Sequence, residues 1–142
     1  MMLHKAILFN DIPIARQILS ITSTSKPALL RVKKLGRQVS NFDDAVWKKH
    51  RSRIVLEGNL LKFRQNPDIR QKLFDTGDTT IVEASPRDRV WGIGFGEKNA
   101  LNKKDKWGAN LLGVALGETR RLLRLEESED SDAGSESHTD LV

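Results

Sequence analysis

The sequence contains no cysteine and only three histidines. The lack of cysteine excludes a disulfide framework, a thiolate metal site and a cysteine nucleophile. With so few histidines, one of them His138 near the C-terminus, metal catalysis and a Ser-His-Asp arrangement are both unexpected. We therefore predict neither a metal nor a cofactor. A chain without cysteine is compatible with a reducing compartment, and we expect an intracellular location, in the cytoplasm or the nucleus.

Long hydrophobic runs are also missing. No apolar stretch approaches the roughly 20 residues that a membrane-spanning helix needs. The N-terminal residues include Asp11 and Pro13 and lack the small-residue cleavage site of a signal peptide. We therefore expect no membrane association. The 142 residues, with 38% hydrophobic content, suit one globular domain.

Charge is distributed unevenly along the chain. Residues 126–142 contain seven acidic side chains and no lysine or arginine. Because the whole chain carries +5, residues 1–125 carry +12. Such a body attracts nucleic acid, nucleotides or phosphorylated metabolites, although basic residues that only solvate helix faces would give the same count. The acidic, serine-rich segment 126–142 has too little apolar content to order itself, and we predict a disordered tail.

Helical spacing of apolar residues predicts most of the secondary structure. The expected helices cover residues 1–9, a short segment capped by Asn10 or Asp11, a segment after Ser25 that Gly36 stops, residues 44–65 capped by Asp43, a short segment begun by Asn66 and Pro67, and residues 109–125. Residues 80–84 are the clearest strand. A single strand leaves its backbone donors without partners, so either weak strands lie in the loops or part of the domain precedes Met1. We predict an α+β fold, mainly helical with a small sheet.

The segment TTIVEASPRDRVWGIGFG, residues 79–96, combines features of a ligand site. A strand that leads into an irregular loop is a common mount for functional groups, and bare glycine backbone allows a ligand to approach closely. Two acids, Glu83 and Asp88, suit cleavage of a glycosidic bond, in which one carboxyl group moves a proton and another stabilises an oxocarbenium-like transition state. Trp91 and Trp107 suit stacking on a base.

Each of these residues also has a purely structural interpretation. In that interpretation Glu83 would pair with a basic side chain, Asp88 would cap a turn, and both tryptophans would belong to the core. The basic turn of the long helix, KKHRSR at residues 48–53, suits phosphate contacts. It lacks a nucleic-acid reading motif, however, and a solvated helix face is favoured.

Several spaced motifs resemble one known family. The strings LGRQVSNFDDAVWKKHR, LLKFRQNPDIRQKLFDTGDTTIVEASPRDRVWGIG and KWGANLLGVALGETRRLL resemble NADAR-type (YbiA-like) domains across residues 1–125. The resemblance implies an α+β fold and hydrolysis of N-glycosidic bonds. The substrates it implies are early riboflavin-pathway intermediates and ADP-ribose attached to guanine. The expected partner is therefore a phosphorylated ribose N-glycoside or an ADP-ribose-type ligand, and a nucleic acid that carries ADP-ribosylated guanine is a further expectation.

The resemblance also assigns residues. Asp88 is the expected catalytic or ribose-contacting carboxylate. The residues expected to contact substrate are Trp91, Gly92 and Gly94 of the same loop, Trp107 and Asn110 of a second pocket element that also contains Gly108, Trp47 of the long helix, and Lys5 of the first helix. Glu83 matches the family motif too, and its place on the strand favours a structural role.

The sequence departs from the family pattern at its N-terminus. Family members begin with a short strand region that contains an F-S-N-type element, followed by an S-x-E segment whose glutamate is thought to be catalytic. The chain begins just after that segment, so we expect an N-terminally truncated domain. Its chemistry would then lack one of two carboxylates unless Glu57 or Glu83 substitutes for the missing acid. Whether the chain is an enzyme stays open. The alternatives are a non-catalytic nucleotide- or ADP-ribose-binding module, a degenerate copy, or a general nucleic-acid-binding protein.

Overall fold

The computed structural model describes the backbone of residues 1–135 and the side chains of residues 1–132. The helices are α1 (Met2–Leu8), α2 (Ile12–Leu19), α3 (Lys26–Arg37), α4 (Asp44–Gln65), α5 (Pro67–Phe74), α6 (Glu97–Ala100), a 3₁₀ helix (Leu101–Lys106) and α7 (Leu111–Ser135). The chain divides into two compact units, Met1–Ile54 and Val55–Val142. Helix α4 runs from the first unit into the second.

The first unit is built from α1, α2 and α3 packed on one another. The helical spacing predicted from the sequence is confirmed in α1, where Ala6 is fully buried and Phe9 follows at the helix end. The core cluster of this unit consists of Ala6, Phe9, Ala15, Ile18, Leu35 and Val39. Each helix therefore places its apolar stripe toward the same interior, as an amphipathic helix must.

The cap of α2 is Asp11, one of the two predicted residues. Its Oδ1 accepts a hydrogen bond from the Ile14 N–H at 3.0 Å, and Pro13 lies in the first turn. The Asp11 Oδ2 accepts two further bonds, from the backbone N–H and the hydroxyl of Ser40. These bonds stabilise the ionised carboxylate and lower the pKa of Asp11. One buried side chain thus caps α2 and holds the chain after α3.

The prediction that Gly36 stops α3 was wrong, because the helix continues through Arg37. Gly36 is buried inside the helix, where an added Cβ would lie 2.0 Å from the Met2 sulfur. The glycine therefore allows Met2 of α1 to approach α3 closely, and it does not end the helix. The cap at Asp43 is confirmed, since its Oδ1 accepts the Val46 N–H at 2.8 Å.

The second unit has its core where α5 packs against α7. Phe63, Leu73 and Leu123 form the buried cluster, with Ile81 and Leu116 packed against it. Asn66 and Pro67 begin α5 as predicted. Gly77 then turns the chain with a positive φ of 57°, a conformation that glycine adopts without steric cost.

The predicted α+β fold was wrong, because residues 1–135 contain no strand and therefore no sheet. Residues 80–84, the expected strand, are a single extended segment. The Asn110 side-chain amide bonds to the Ile81 carbonyl and to the Glu83 N–H, and the Ile93 N–H donates to the Glu83 carbonyl. A β-branched segment therefore satisfies its backbone with a side chain and a loop where a neighbouring strand was expected.

Helix α7 extends ten residues past its predicted end at residue 125. Ion pairs from Arg64 to Glu126 and from Arg70 to Glu127 hold the added part. The sequence pattern missed this extension because the residues after Leu125 lack an apolar stripe. Of the predicted disordered tail, residues 136–142 lie outside the described residues.

Candidate functional site

Asp88 organises the loop that follows the extended segment. Its Oδ1 accepts hydrogen bonds from the backbone N–H groups of Val90 at 2.9 Å and Trp91 at 2.8 Å. This side-chain-to-backbone turn fixes the loop without help from a helix or a sheet. The carboxylate is half-buried, and the Trp91 side chain that follows it is half-buried as well.

The start of α7 is docked onto this loop by consecutive backbone hydrogen bonds. The donors are the N–H groups of Gly108, Ala109, Asn110, Leu111 and Leu112, and the acceptors are the carbonyls of Ile93, Arg89, Gly92, Val90 and Trp91, in that order, at 2.8–3.3 Å. The two motif elements that the sequence separates, one around Asp88 and one around Asn110, therefore lie side by side. The first donors of α7 are satisfied by the loop in place of a capping side chain.

Two glycines allow this docking, because the docked backbones leave no room for a Cβ atom at either position. A Cβ on Gly108 would lie 2.3 Å from the Arg89 carbonyl oxygen, and a Cβ on Gly92 would lie 2.7 Å from the Glu83 carbonyl oxygen. Both clashes are with backbone, which cannot move aside as a flexible side chain can. Gly94 serves the loop differently, through a positive φ of 79°.

Asn110 is a buried structural link. Only 8% of it is exposed, and its φ of 49° is left-handed. Its Oδ1 accepts the Glu83 N–H at 3.0 Å and its Nδ2 donates to the Ile81 carbonyl at 2.9 Å. The predicted substrate contact therefore uses its amide to hold the extended segment.

Trp107 directly precedes the docked segment. Its indole Nε1 donates to the Ala100 carbonyl at 2.8 Å, and the Lys104 ammonium lies 5.9 Å from its ring centroid. The ring is half-buried. The indole N–H is thus occupied by a hydrogen bond within the protein. A ligand could contact only the exposed part of the Trp107 ring.

Arg120 of α7 holds the chain that leads into the extended segment, and the sequence analysis missed it. The side chain is buried, donates to Thr76 Oγ1 at 2.6 Å and donates to the Thr79 carbonyl at 3.0 Å. Arg124, one turn later, donates to the carbonyls of Phe74 and Gly77. In the sequence these arginines belong to a basic run that is typical of a solvated helix face, so no signal separated them from their neighbours.

In the first unit, the structure brings together Lys5 and Trp47, both predicted to contact substrate. The Lys5 ammonium donates to the Gly36 carbonyl at 2.8 Å and lies 5.8 Å from the Trp47 ring centroid. It lies closer, at 4.1 Å, to the Phe42 ring, a neighbour that the sequence analysis did not identify. Burial of the ammonium lowers the pKa of Lys5, and the aromatic faces offset part of the desolvation cost.

Metal-ligating side chains do not gather in the described chain. Among its residues, no group of three or more histidines, cysteines or acids stands close enough together to hold an ion. The site is instead made of backbone, carboxylate and indole groups. Within the same part of the chain, none of the helices has both the length and the apolar character for crossing a membrane.

Residues 1–124 match the family model of the NADAR domain. The chain belongs to the NADAR domain family. Its resemblance to that family, predicted from the spaced motifs, is thereby confirmed. The match includes every residue that the sequence analysis assigned to the candidate site.

Curated relatives of this NADAR domain include two proteins named as N-glycosidases. N-glycosidase R617 of Acanthamoeba polyphaga mimivirus is 48% identical over 122 residues, which cover 84% of this chain and 69% of that protein. N-glycosidase Npun_R5314 of Nostoc punctiforme is 37% identical over 78 residues, covering 55% of this chain and 44% of the relative. Protein irg-1 of Caenorhabditis elegans is 36% identical over 126 residues, which cover 86% of this chain and 57% of that protein. The chain therefore spans part of each relative's length.

Proposed function

We propose that this NADAR domain hydrolyses the N-glycosidic bond between a phosphorylated ribose and a nitrogenous base. The supporting observation is the loop closed by Asp88 and joined through backbone bonds to the start of α7. That joint gathers Asp88, Trp91 and Gly92 with the second motif element. The reaction class is also the one named for two of the relatives.

The reaction needs a carboxylate near the anomeric carbon. Water adds to that carbon, the carbon–nitrogen bond breaks with its electron pair moving to the base, and the base takes up a proton. Positive charge develops on the ribose as the bond breaks, and a fixed negative charge stabilises it. The two loop bonds fix the position of the Asp88 carboxylate, and we propose that its charge faces the ribose.

The phosphate of the substrate would meet a basic surface. The segment from residue 87 to residue 106 contains exposed cationic side chains, namely Arg87, Arg89, Lys98, Lys103, Lys104 and Lys106. Their combined field attracts phosphorylated ligands and raises their rate of association. We propose a phosphorylated ribose N-glycoside or an ADP-ribose-type ligand as substrate, with ADP-ribosylated guanine in nucleic acid as one member of that class.

Lys5 and Trp47 of the first unit stay predicted ligand contacts. An ammonium held against aromatic rings is presented in a fixed position, so it is suited to an anionic or hydroxyl group. A Lys5→Met variant keeps the apolar stem and removes the charge. We expect a higher KM in that variant with the fold retained, and an unchanged KM would remove Lys5 from the ligand contacts.

The test incubates the protein with ADP-ribosylated guanosine and with early riboflavin-pathway intermediates, and chromatography detects the released base. We expect wild-type cleavage and a loss of about 100-fold or more in Asp88→Asn. Asp105→Asn is the matched control, because Asp105 is an exposed aspartate of the 3₁₀ helix. Undiminished cleavage by Asp88→Asn would remove Asp88 from the mechanism.

A second candidate function is binding of an ADP-ribose-type ligand without turnover. The observation that favours it is the use of Asp88 Oδ1 by two backbone N–H groups, which is sufficient to explain that residue structurally. Calorimetry with ADP-ribose separates the two functions. Tight binding together with no released base from any of these substrates would favour the binding module.

A further inference from the structure

Of the two acids in the motif of residues 79–96, Glu83 is the one whose carboxylate the fold leaves without a partner. The side chain is exposed, and within the described residues it accepts no hydrogen bond and forms no ion pair. Asp88, by contrast, is engaged by the loop backbone. The two acids of the motif are therefore in opposite situations, and the difference favours a chemical role for Glu83, for which the sequence favours a structural one.

The backbone that carries Glu83 is fixed on both sides. Its N–H donates to Asn110 Oδ1 at 3.0 Å, and its carbonyl accepts the N–H groups of Ser85 at 2.9 Å and Ile93 at 3.0 Å. Two residues earlier, the Ile81 carbonyl is held by Asn110 Nδ2. A residue with a fully satisfied backbone and an unpartnered carboxylate is a rigid mount for a reactive group.

Glu83 also lies against the glycine that the motif places next to Trp91. The position that a Cβ of Gly92 would occupy is 3.2 Å from Glu83 Cγ and 3.0 Å from the Asp88 carbonyl oxygen. The stem of Glu83 therefore covers the buried backbone of Gly92 beside the loop turn, and its carboxylate lies at the surface there.

We propose that Glu83 is the general-base carboxylate of the reaction, while Asp88 holds the loop and supplies the fixed charge beside the ribose; this assignment rests on the proposed N-glycosidase function. Glu83 takes a proton from the attacking water as the oxygen of that water bonds to the anomeric carbon. The carbon–nitrogen bond breaks, its electron pair stays on the base, and the proton passes on to that nitrogen. Water is the only co-reactant, and Glu83 ends in its starting ionised state.

The experiment measures kcat and KM for the substrate that the wild-type chain cleaves, together with the thermal unfolding midpoint. We expect Glu83→Gln to lower kcat by about 100-fold or more, which is the usual contribution of a general base, with KM and the midpoint nearly unchanged. Glu97→Gln, at an exposed acid on the nearby helix α6, is the control and should retain full activity. Added formate should restore part of the activity of Glu83→Ala, because formate supplies the missing carboxylate.

Each outcome bears on the assignment. Full activity of Glu83→Gln beside full activity of Glu97→Gln would overturn the role of Glu83 and leave the N-glycosidase function standing. A loss of kcat that formate does not restore, with a lowered unfolding midpoint, would also overturn it in favour of a structural role. A folded wild-type chain that cleaves none of the substrates would overturn the N-glycosidase function and the assignment together.

Discussion

The two units of the chain obtain their order in different ways. In the first unit, three amphipathic helices bury small and apolar side chains, and Asp11 ties one helix end to a later turn. In the second unit, residues 79–112 have little regular structure, and hydrogen bonds from Asp88, Asn110 and the glycine-rich backbone hold them. Order in the first unit comes mainly from burial, and order in this part of the second comes mainly from satisfied backbone groups.

This difference predicts how each region responds to substitution. A helix core tolerates small changes, because neighbouring side chains rotate or shift at a cost of about 1–3 kcal/mol. A backbone-to-backbone junction has no such freedom, since its atoms are already fixed by several hydrogen bonds. The same rigidity is what a candidate active site requires, so the least regular part of the chain is the part best suited to hold functional groups.

The largest effect is expected at Gly113, in the first turn of α7. An added Cβ would lie 2.1 Å from the Ile81 carbonyl oxygen, a backbone atom. We expect Gly113→Ala to lower the free energy of unfolding by about 3 kcal/mol or more, because the helix must separate from the extended segment. Urea unfolding followed by circular dichroism measures the change.

Two matched glycines sharpen that test. Gly117 lies one turn later in α7 with nothing within 4 Å of an added Cβ, so Gly117→Ala should stabilise the protein by about 0.5–1 kcal/mol through helix propensity. Gly36→Ala should cost less than Gly113→Ala, since its clash is with the flexible Met2 side chain. Equal losses at Gly36 and Gly113 would contradict the contrast between the two units.

The next effect concerns the amide of Asn110. Asn110 and Asn41 both have left-handed backbone, with φ of 49° and 54°, so glycine suits the conformation at either position. Asn110→Gly removes the partners of the Ile81 carbonyl and the Glu83 N–H, and we expect a loss of about 2–3 kcal/mol. Asn41→Gly, at an exposed residue, should change stability by less than about 0.5 kcal/mol.

Chemical denaturation of the two glycine variants side by side gives the contribution of the amide. Similar midpoints would show that the hydrogen bonds of Asn110 add nothing beyond its backbone conformation. In that case the extended segment would have to be held by the Ile93 and Arg120 bonds alone.

The sequence was a good guide to the first unit and a poor guide to the irregular part of the second. Helical spacing and caps depend on residues close together in the chain, so the positions of α1, α2 and α4 follow from local pattern. The failure at residues 80–84 has a different origin. The β-branched pattern is present, but whether it pairs with a strand depends on residue 110, some 30 positions later, and no local signal reports that.

The candidate site shows the same limit. The motif identified Asp88, Trp91, Gly92 and Asn110 as a group, and the structure places their segments together. The motif could not divide roles among them. Asn110 is buried with its amide occupied, and Glu83 is exposed with its carboxylate unpartnered; both facts depend on contacts between distant parts of the chain.

A smaller effect, dependent on pH, is expected at Asp11. Hydrogen bonds from Ser40 and Ile14 lower its folded-state pKa, so its contribution to stability is present above the unfolded pKa of about 3.9 and is lost as pH falls through the folded value. Asp11→Asn keeps one acceptor oxygen and removes the titration. The stability difference between wild type and Asp11→Asn should therefore be largest near neutral pH and shrink below about pH 4. A difference that stays constant from pH 7 to pH 3 would contradict this account.

The smallest effect is expected where α7 extends beyond its apolar stripe. Arg64 forms a two-point ion pair with Glu126, with Nε to Oε2 at 3.1 Å, and the pair lowers the pKa of Glu126. Both side chains are more than a third exposed, so Glu126→Gln should cost less than about 1 kcal/mol. Glu129→Gln is the control, because it removes the same charge from the same helix end without removing an ion pair.

The C-terminal end of a helix carries a partial negative charge, which repels a nearby carboxylate. Glu129→Gln removes such a carboxylate and should therefore be neutral or slightly stabilising. The difference between the two variants then isolates the ion pair. That difference should fall as salt is added and as pH drops below the unfolded pKa of about 4.3, because protonated Glu126 no longer pairs. A difference insensitive to both would mean that the end of α7 is held by packing, as the first unit is.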